Sequence, residues 1–220
     1  MLRGMDTVWI AGATGLVGSK LLPQLLDAPH VGTVVSLGRR PSGLTDPKLV
    51  ERSIDFANLD TAGLPPPTVA VCCLGTTIKK AGSKEAFRAI DHDAVLSFAK
   101  AAQAAGATRF AVVTAEGADA GSMIFYNRVK GEAEASLRAL GFASLVIARP
   151  SLLLGERAES RPGERAAVAV SRFLAPVLRV FEGRPIEDVV VARALVALTR
   201  DPPKGAEVVH SGRLQTLGGG

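Results

Sequence analysis

Apolar positions run unbroken through Val8-Trp9-Ile10-Ala11, stop at Gly12, and return with helical spacing at Leu16, Leu21, Leu22, Leu25 and Leu26. A short continuous apolar run reads as a strand buried on both faces, and the recurrence after it as an amphipathic helix. Pro23 within that recurrence removes a helix hydrogen bond and predicts a kinked or shortened helix. The alternation then repeats. Gly32 to Gly38 predicts a second strand, Leu49 to Asp55 a weaker third, and Thr68 to Leu74 a fourth after the break at Pro65-Pro66-Pro67. Lys84 to Ala105 has alanine-rich helical spacing, with Phe87, Ile90, Val95, Phe98 and Ala102 on its buried side, and Gly106 ends it. Arg109 to Thr114 predicts a fifth strand, Tyr126 to Leu140 a helix stopped at Gly141, and Ser144 to Arg149 a sixth strand.

Strands that alternate with helices and are apolar on both faces predict an α/β fold: a Rossmann-like, doubly wound parallel sheet with helices on both faces. Right-handed crossovers and a reversal of strand order place a ligand at the carboxyl ends of the strands. Those ends are Gly12, Arg39, Asp55, Leu74 to Thr76, Thr114 and Pro150. Beyond Pro150 the pattern loosens. Glu156 to Arg165 is charged and predicts a mobile surface loop, Ala166 to Phe181 a helix divided at Pro176, and Val189 to Thr199 a helix with Glu187 and Asp188 at its start. Glu207 to His210 predicts a closing strand, and Gly218-Gly219-Gly220 a frayed tail. We expect one domain over residues 1–220, with about residues 150–200 shaping the substrate side.

Composition narrows the function classes. Hydrophobic residues at 47% and charged ones at 21% match a folded globular domain rather than a disordered chain. The net charge of +5 is spread along the chain without a basic run interleaved with aromatics, so no nucleic-acid partner is expected. No segment has the length of a membrane span, and the apolar stretch around Trp9 is short, glycine-rich and without a basic leader or cleavage site. The two cysteines, Cys72 and Cys73, are adjacent in an apolar strand and read as buried thiols in a reducing compartment. With His30, His92 and His210 scattered, no metal site is expected, and the expected location is cytoplasmic.

The chemistry starts at the first turn. In Gly12-Ala13-Thr14-Gly15-Leu16-Val17-Gly18 a strand turns into a helix through glycine at every third position. The helix's first N–H groups and its positive dipole end suit a pyrophosphate, and a Cβ there would block the turn or the ligand. After the second strand an NAD-binding fold carries a carboxylate for the ribose hydroxyls, whereas this chain has Gly38-Arg39-Arg40. Two guanidinium groups there favour the 2′-phosphate of NADP(H). Asp55 and Phe56 are placed to flank the adenine, and Leu74, Gly75 and Thr76 to pass close to a ribose. Tyr126 and Lys130 are four residues apart and share a helix face. A phenol is a poor acid–base group at neutral pH, and a neighbouring cation is expected to lower its pKa. Asp91 and Asp93 read as anchoring or solvating their helix.

The turn from Gly12 to Gly18 together with Tyr126 and Lys130 resembles the short-chain dehydrogenase/reductase superfamily in its atypical branch. More narrowly, Cys72-Cys73-Leu74-Gly75-Thr76-Thr77, Lys80-Ala81-Gly82, Ala118-Asp119, Tyr126 through Glu132, Arg149-Pro150 and Arg161-Pro162-Gly163-Glu164 resemble the Tat-interacting-protein family and its bacterial relatives. The likeness covers about residues 5 to 165. It implies a Rossmann-like, NADPH-binding fold with oxidoreductase activity, in which Tyr126 protonates an alkoxide and Lys130 assists it and holds the nicotinamide ribose. Such reductases add a hydroxyl that bonds the substrate carbonyl, commonly in a Ser-Ser pair at the end of the fifth strand. Here that place reads Thr114-Ala115, so Thr114 is the expected donor, with Ser122 as a nearby substitute. The leading expectation is an NADPH-dependent reductase of a small carbonyl substrate. The alternatives are a regulatory protein that holds NADPH without turnover and, last because the stretch after Pro150 is short for a nucleotide-sugar domain, a sugar-nucleotide epimerase.

Overall fold

The computed structural model describes residues 5–154 and 185–219. Its elements in chain order are β1 (Asp6–Ala11), α1 (Gly18–Asp27), β2 (Val31–Gly38), β3 (Leu49–Ser53), β4 (Val69–Cys72), α2 (Ile78–Ala81) and α3 (Lys84–Arg88). A π-helical segment (Ala89–Ala94) joins α3 to α4 (Val95–Ala104), and β5 (Arg109–Val113), α5 (Phe125–Ala139) and β6 (Ser144–Arg149) follow. Short β7 (Leu153–Leu154) and β8 (Ile186–Glu187) precede α6 (Asp188–Arg200), β9 (Gly205–His210) and α7 (Ser211–Gly218).

Seven strands form one parallel sheet in the order β3-β2-β1-β4-β5-β6-β9. This is the doubly wound arrangement, with the order reversing between β1 and β4. The unbroken apolar runs are explained by burial on both faces. Val8 and Ile10 of β1 join Leu21 and Leu25 of α1 and Val191 and Leu195 of α6 in one core. Trp9 and Ala11 point the other way, to Phe98 of α4, Phe110 of β5 and Leu137 of α5. Trp9 is fully buried, and its indole N–H is satisfied by the Pro65 carbonyl at 2.8 Å. β7 and β8 make a separate parallel pair beyond the end of β6.

Pro23 lies inside α1, which runs over ten residues and continues to Asp27. Two local expectations are corrected. The expected single helix from Lys84 to Ala105 contains the π-helical segment, which buries Asp91 while Ile90 is only half-buried. The expected tail is not frayed at Gly218, which ends α7 and packs against α6. A Cβ there would stand 1.9 Å from the Val190 carbonyl oxygen. The loop and divided helix expected between 156 and 181 lie outside the described residues, as does Gly220.

Gly218→Ala is expected to cost about 1–3 kcal/mol of stability through this close approach. Gly212→Ala on the same helix meets nothing within 4 Å and is expected to be neutral or to stabilise by up to about 1 kcal/mol. Urea denaturation midpoints of the two variants measure the contrast.

Candidate functional site

The glycines of the first turn have separate geometric reasons. Gly12 has φ of +84°, and a Cβ on it would stand 2.6 Å from the backbone carbonyl of Cys73, just past β4. Gly15 donates its N–H to the Gly12 carbonyl at 3.0 Å and remains exposed. A Cβ on Gly18 would lie 2.1 Å from the Gly12 oxygen, so glycine lets α1 start against the turn. Between them Leu16 is half-buried and Val17 is part of the core. The start of α1 has no side-chain cap and no acidic residue in its first turn. Its positive dipole end thus meets no side-chain charge of its own, while the Ser19 and Lys20 N–H groups are bonded to the Gly15 and Val17 carbonyls at 2.9 and 3.1 Å.

A cleft opens where the strand order reverses. Gly12, Ala13 and Thr14 form its near wall, Ser36, Gly38, Arg39 and Arg40 its second side, and Phe56 and Leu74 its far side. Among the described residues no carboxylate lines it. Arg39 and Arg40 are exposed at its rim. Of the two residues expected near an adenine, Phe56 lines the cleft, whereas Asp55 is bridged to Asn58 and accepts the Ala57 N–H. The far wall continues from Leu74 to Gly75, where a Cβ would lie 3.6 Å from Lys130 Nζ and 3.5 Å from Asp91 Oδ1. The cleft thus leads along one stretch of backbone to the tyrosine–lysine pair.

Tyr126 is in the first turn of α5, its ring 5.4 Å from that of Phe87 at a tilt of 39°. Lys130, one turn on, pairs with Asp91 at 2.8 Å, both side chains being almost wholly buried. Asp91 Oδ2 also accepts the Thr76 N–H at 2.9 Å. Burial is the largest single influence on the Lys130 ammonium and works against its charge, but Asp91 and Tyr126 together push the other way and the net pKa is raised. The phenol differs from expectation. Burial pushes the Tyr126 pKa up, Lys130 pulls it down and Asp91 pushes it up again, so it lies above the ordinary phenol value. Burial likewise lifts the Cys72 thiol to about 12 and raises Cys73, leaving both as neutral free thiols.

Thr114 is placed otherwise than a carbonyl-orienting donor requires. Its hydroxyl donates to Glu134 Oε1 at 2.7 Å, and both side chains are buried. Glu134 also receives Arg149 Nε at 3.0 Å and Nη2 at 2.5 Å. Ser122 accepts the Ile124 N–H in the loop before α5. Pro150 is buried and its carbonyl accepts the Glu116 N–H. Glu134 and Arg149 were not singled out as a pair in the sequence. The available signal is spacing, since Tyr126, Lys130 and Glu134 recur every four residues on one helix face. Among the described residues there is no group of three or more His, Cys, Asp or Glu arranged to hold a metal ion.

No protein-family model matches the chain. It is similar to Protein fmp52, mitochondrial, of Emericella nidulans, with 35% identity over 93% of this chain and 94% of that protein. It is also similar to Protein HTATIP2 of Rattus norvegicus, with 38% identity over 72% of this chain and 67% of that protein. Among solved structures, MoeE5 in complex with UDP-glucose and NAD superposes with a TM-score of 0.68 at 21% identity, covering 93% of this chain and 75% of that one. Human epimerase family protein SDR39U1 (isoform 2) with NADPH superposes with a TM-score of 0.63 at 20% identity, covering 93% and 73%. These structures share the fold. The cytoplasmic expectation is corrected by the fungal relatives, which cover nearly the whole chain and are named as mitochondrial. Reduced thiols, on which that expectation leaned, do not separate one reducing compartment from another.

Glu134→Ala is expected to cost about 2–4 kcal/mol, because it removes the carboxylate from Arg149 and the acceptor from buried Thr114. Chemical denaturation measures the loss, which Thr114→Val alone is expected to reproduce only in part.

Proposed function

The chain belongs to the family of the fungal Fmp52 proteins and HTATIP2, within the atypical short-chain dehydrogenase/reductases. From that premise we propose that it binds NADPH in preference to NADH and reduces a small carbonyl compound. One observation carries this reading. The cleft beside the glycine turn leads through Leu74 and Gly75 to Lys130, beside which Tyr126 lies on the same helix.

The residues fit a dinucleotide. Glycine at Gly12 and Gly18 keeps the turn tight, and the start of α1, with no acidic residue in its first turn, presents its positive dipole end to a pyrophosphate. Arg39 and Arg40, at a cleft rim without a carboxylate, match a 2′-phosphate through paired N–H donors. Phe56 offers an apolar surface to a base. Reduced dinucleotide, when bound, supplies a hydride equivalent to the substrate. The chain's own part is to hold the carbonyl beside Tyr126, which gives its phenolic proton to the developing alkoxide. Lys130, fixed by Asp91, stands next to the backbone at Gly75 and within reach of a ribose passing there.

A second reading, a protein that holds NADPH without turnover, is favoured by one feature. Thr114 gives its proton to Glu134, and Ala115 beside it has no hydroxyl.

Calorimetric titration separates these readings in stages. NADPH is expected to bind roughly tenfold or more tightly than NADH, and the Arg39→Ala/Arg40→Ala double variant to lose most of that preference. Equal affinities would sink the arginine assignment, and no binding of either to folded protein would sink both readings. Against a panel of aldehydes and ketones, Tyr126→Phe is expected to lose about 10²–10⁴-fold in turnover while keeping its NADPH affinity. Absence of turnover by the unaltered protein across that panel would leave the holding protein as the reading.

A further inference from the structure

Ser36 is a polar residue at a position the strand pattern reserves for the core. Alternate residues of a strand share a face, so Val34, Ser36 and Gly38 of β2 point to one side of the sheet. Val34 is wholly buried there, in the core that holds Val8, Ile10 and Leu21. Ser36 is paired with Ile10 in the sheet and is only 5% exposed, yet it lines the cleft. Gly38, next along that face, has no side chain to cover it. A Cβ on Gly38 would meet only the Arg40 carbonyl oxygen within 4 Å, at 3.6 Å.

Among the described residues the Ser36 hydroxyl has no hydrogen-bond partner. Buried side-chain polar atoms are ordinarily paired, so such a residue asks for a reason. Burying a hydroxyl without a partner also weakens a fold, and alanine fills nearly the same volume without that penalty. The cleft around it holds Arg39, Arg40 and the turn from Gly12 to Thr14, and among the described residues no carboxylate lines it. A strong acceptor for the Ser36 O–H therefore has to arrive with the ligand. The hydroxyl shares a wall with the two arginines, across the cleft from the turn before α1. An adenosine bound between them spans that distance, with its 5′-pyrophosphate at the turn and its 2′-phosphate at the arginines.

We propose that Ser36 is a specificity-determining residue of this cleft: its hydroxyl donates to the 2′-phosphate of a bound NADPH. This rests on the NADPH reading above and deepens it. A hydroxyl bonded to an anion gains more than one bonded to a neutral group. With NADH the same oxygen meets a ribose hydroxyl instead, so Ser36 adds to the preference that Arg39 and Arg40 begin. The arginines are exposed at the rim, where salt screens their charge, whereas the serine acts from within the strand, out of water. Ser36 thus stabilises the complex and not the ligand-free fold.

Removing the hydroxyl tests this with two independent readouts. In calorimetric titrations, Ser36→Ala is expected to bind NADPH and adenosine 2′,5′-bisphosphate about tenfold or more weakly than the unaltered protein does. For NADH and 5′-AMP the loss is expected to be about threefold or less. Ser36→Asp sets a carboxylate against the 2′-phosphate and offers an acceptor to ribose hydroxyls, so it is expected to bind NADH more tightly than NADPH. Should the aspartate variant not fold, Ser36→Ala decides alone. In urea denaturation of the ligand-free protein, the midpoint of Ser36→Ala is expected to equal or exceed that of the unaltered protein. A lower midpoint would show the hydroxyl to be structural and overturn the proposal. Unchanged NADPH affinity in Ser36→Ala, or equal losses for NADPH and NADH, would overturn it too. If the unaltered protein prefers NADPH and Ser36→Ala keeps that preference in full, the proposal fails and the NADPH reading stands. If the unaltered protein shows no preference for NADPH, both fail.

Discussion

The crossing of the turn after β1 over the chain leaving β4 is the contact on which the rest of this structure depends. A Cβ on Gly12 would stand 2.6 Å from the Cys73 carbonyl, and one on Gly18 would stand 2.1 Å from the Gly12 oxygen. Only glycine lets strand, turn and helix close to this distance, at a left-handed φ of +84° that side chains rarely adopt. Because β1 and β4 are neighbours at the point where the strand order reverses, the crossing also sets the mouth of the cleft. It fixes Leu74 as one wall and hands the backbone on to Gly75 and Thr76, which meet Lys130 and Asp91. The cleft and the tyrosine–lysine pair are thus joined by four consecutive residues, Cys73 to Thr76. A shift at Gly12 would be transmitted along them.

The sheet was legible in the sequence because each strand is apolar on both faces and each helix carries a separate periodic stripe. Val8 to Ala11 and Ser144 to Arg149 needed no knowledge of their neighbours. The less regular pieces had no comparable local signal. Ser211 to Gly218 forms a helix because Leu214 and Gly218 pack on neighbouring elements, a tertiary cause that its glycine-rich sequence hides. The cleft residues were legible where backbone geometry dictates the residue, as at Gly12 and Gly18, or where a carboxylate is missing, as at Arg39 and Arg40. Asp55 and Thr114 show the limit of position as a guide. Both sit at strand ends as expected, but their side chains are bonded to groups the sequence does not place beside them: the Ala57 N–H for one and Glu134 for the other. Partners brought together by a crossover cannot be read from spacing along one element.

The electrostatics follow from the same crossovers. Tyr126, Lys130 and Glu134 form one stripe on α5, and each charge in it meets an opposite charge from another element: Asp91 from the π-helical segment and Arg149 from β6. In a buried site an uncompensated ion would be unstable or would neutralise by shifting its pKa, so packing α5 against the strand ends requires such partners. That structural requirement has a chemical result. The tyrosine–lysine spacing by itself suggests a phenol whose pKa is lowered by the neighbouring cation. Folding adds a carboxylate on the far side of the lysine and removes water from the ring, and both changes favour the protonated form. Donation to a carbonyl needs that form, whereas abstraction from an alcohol does not. The raised phenol therefore comes first from burial of the ring on packing, and the carboxylate of the π-helical segment, two crossovers away from the Tyr126 motif, adds to it.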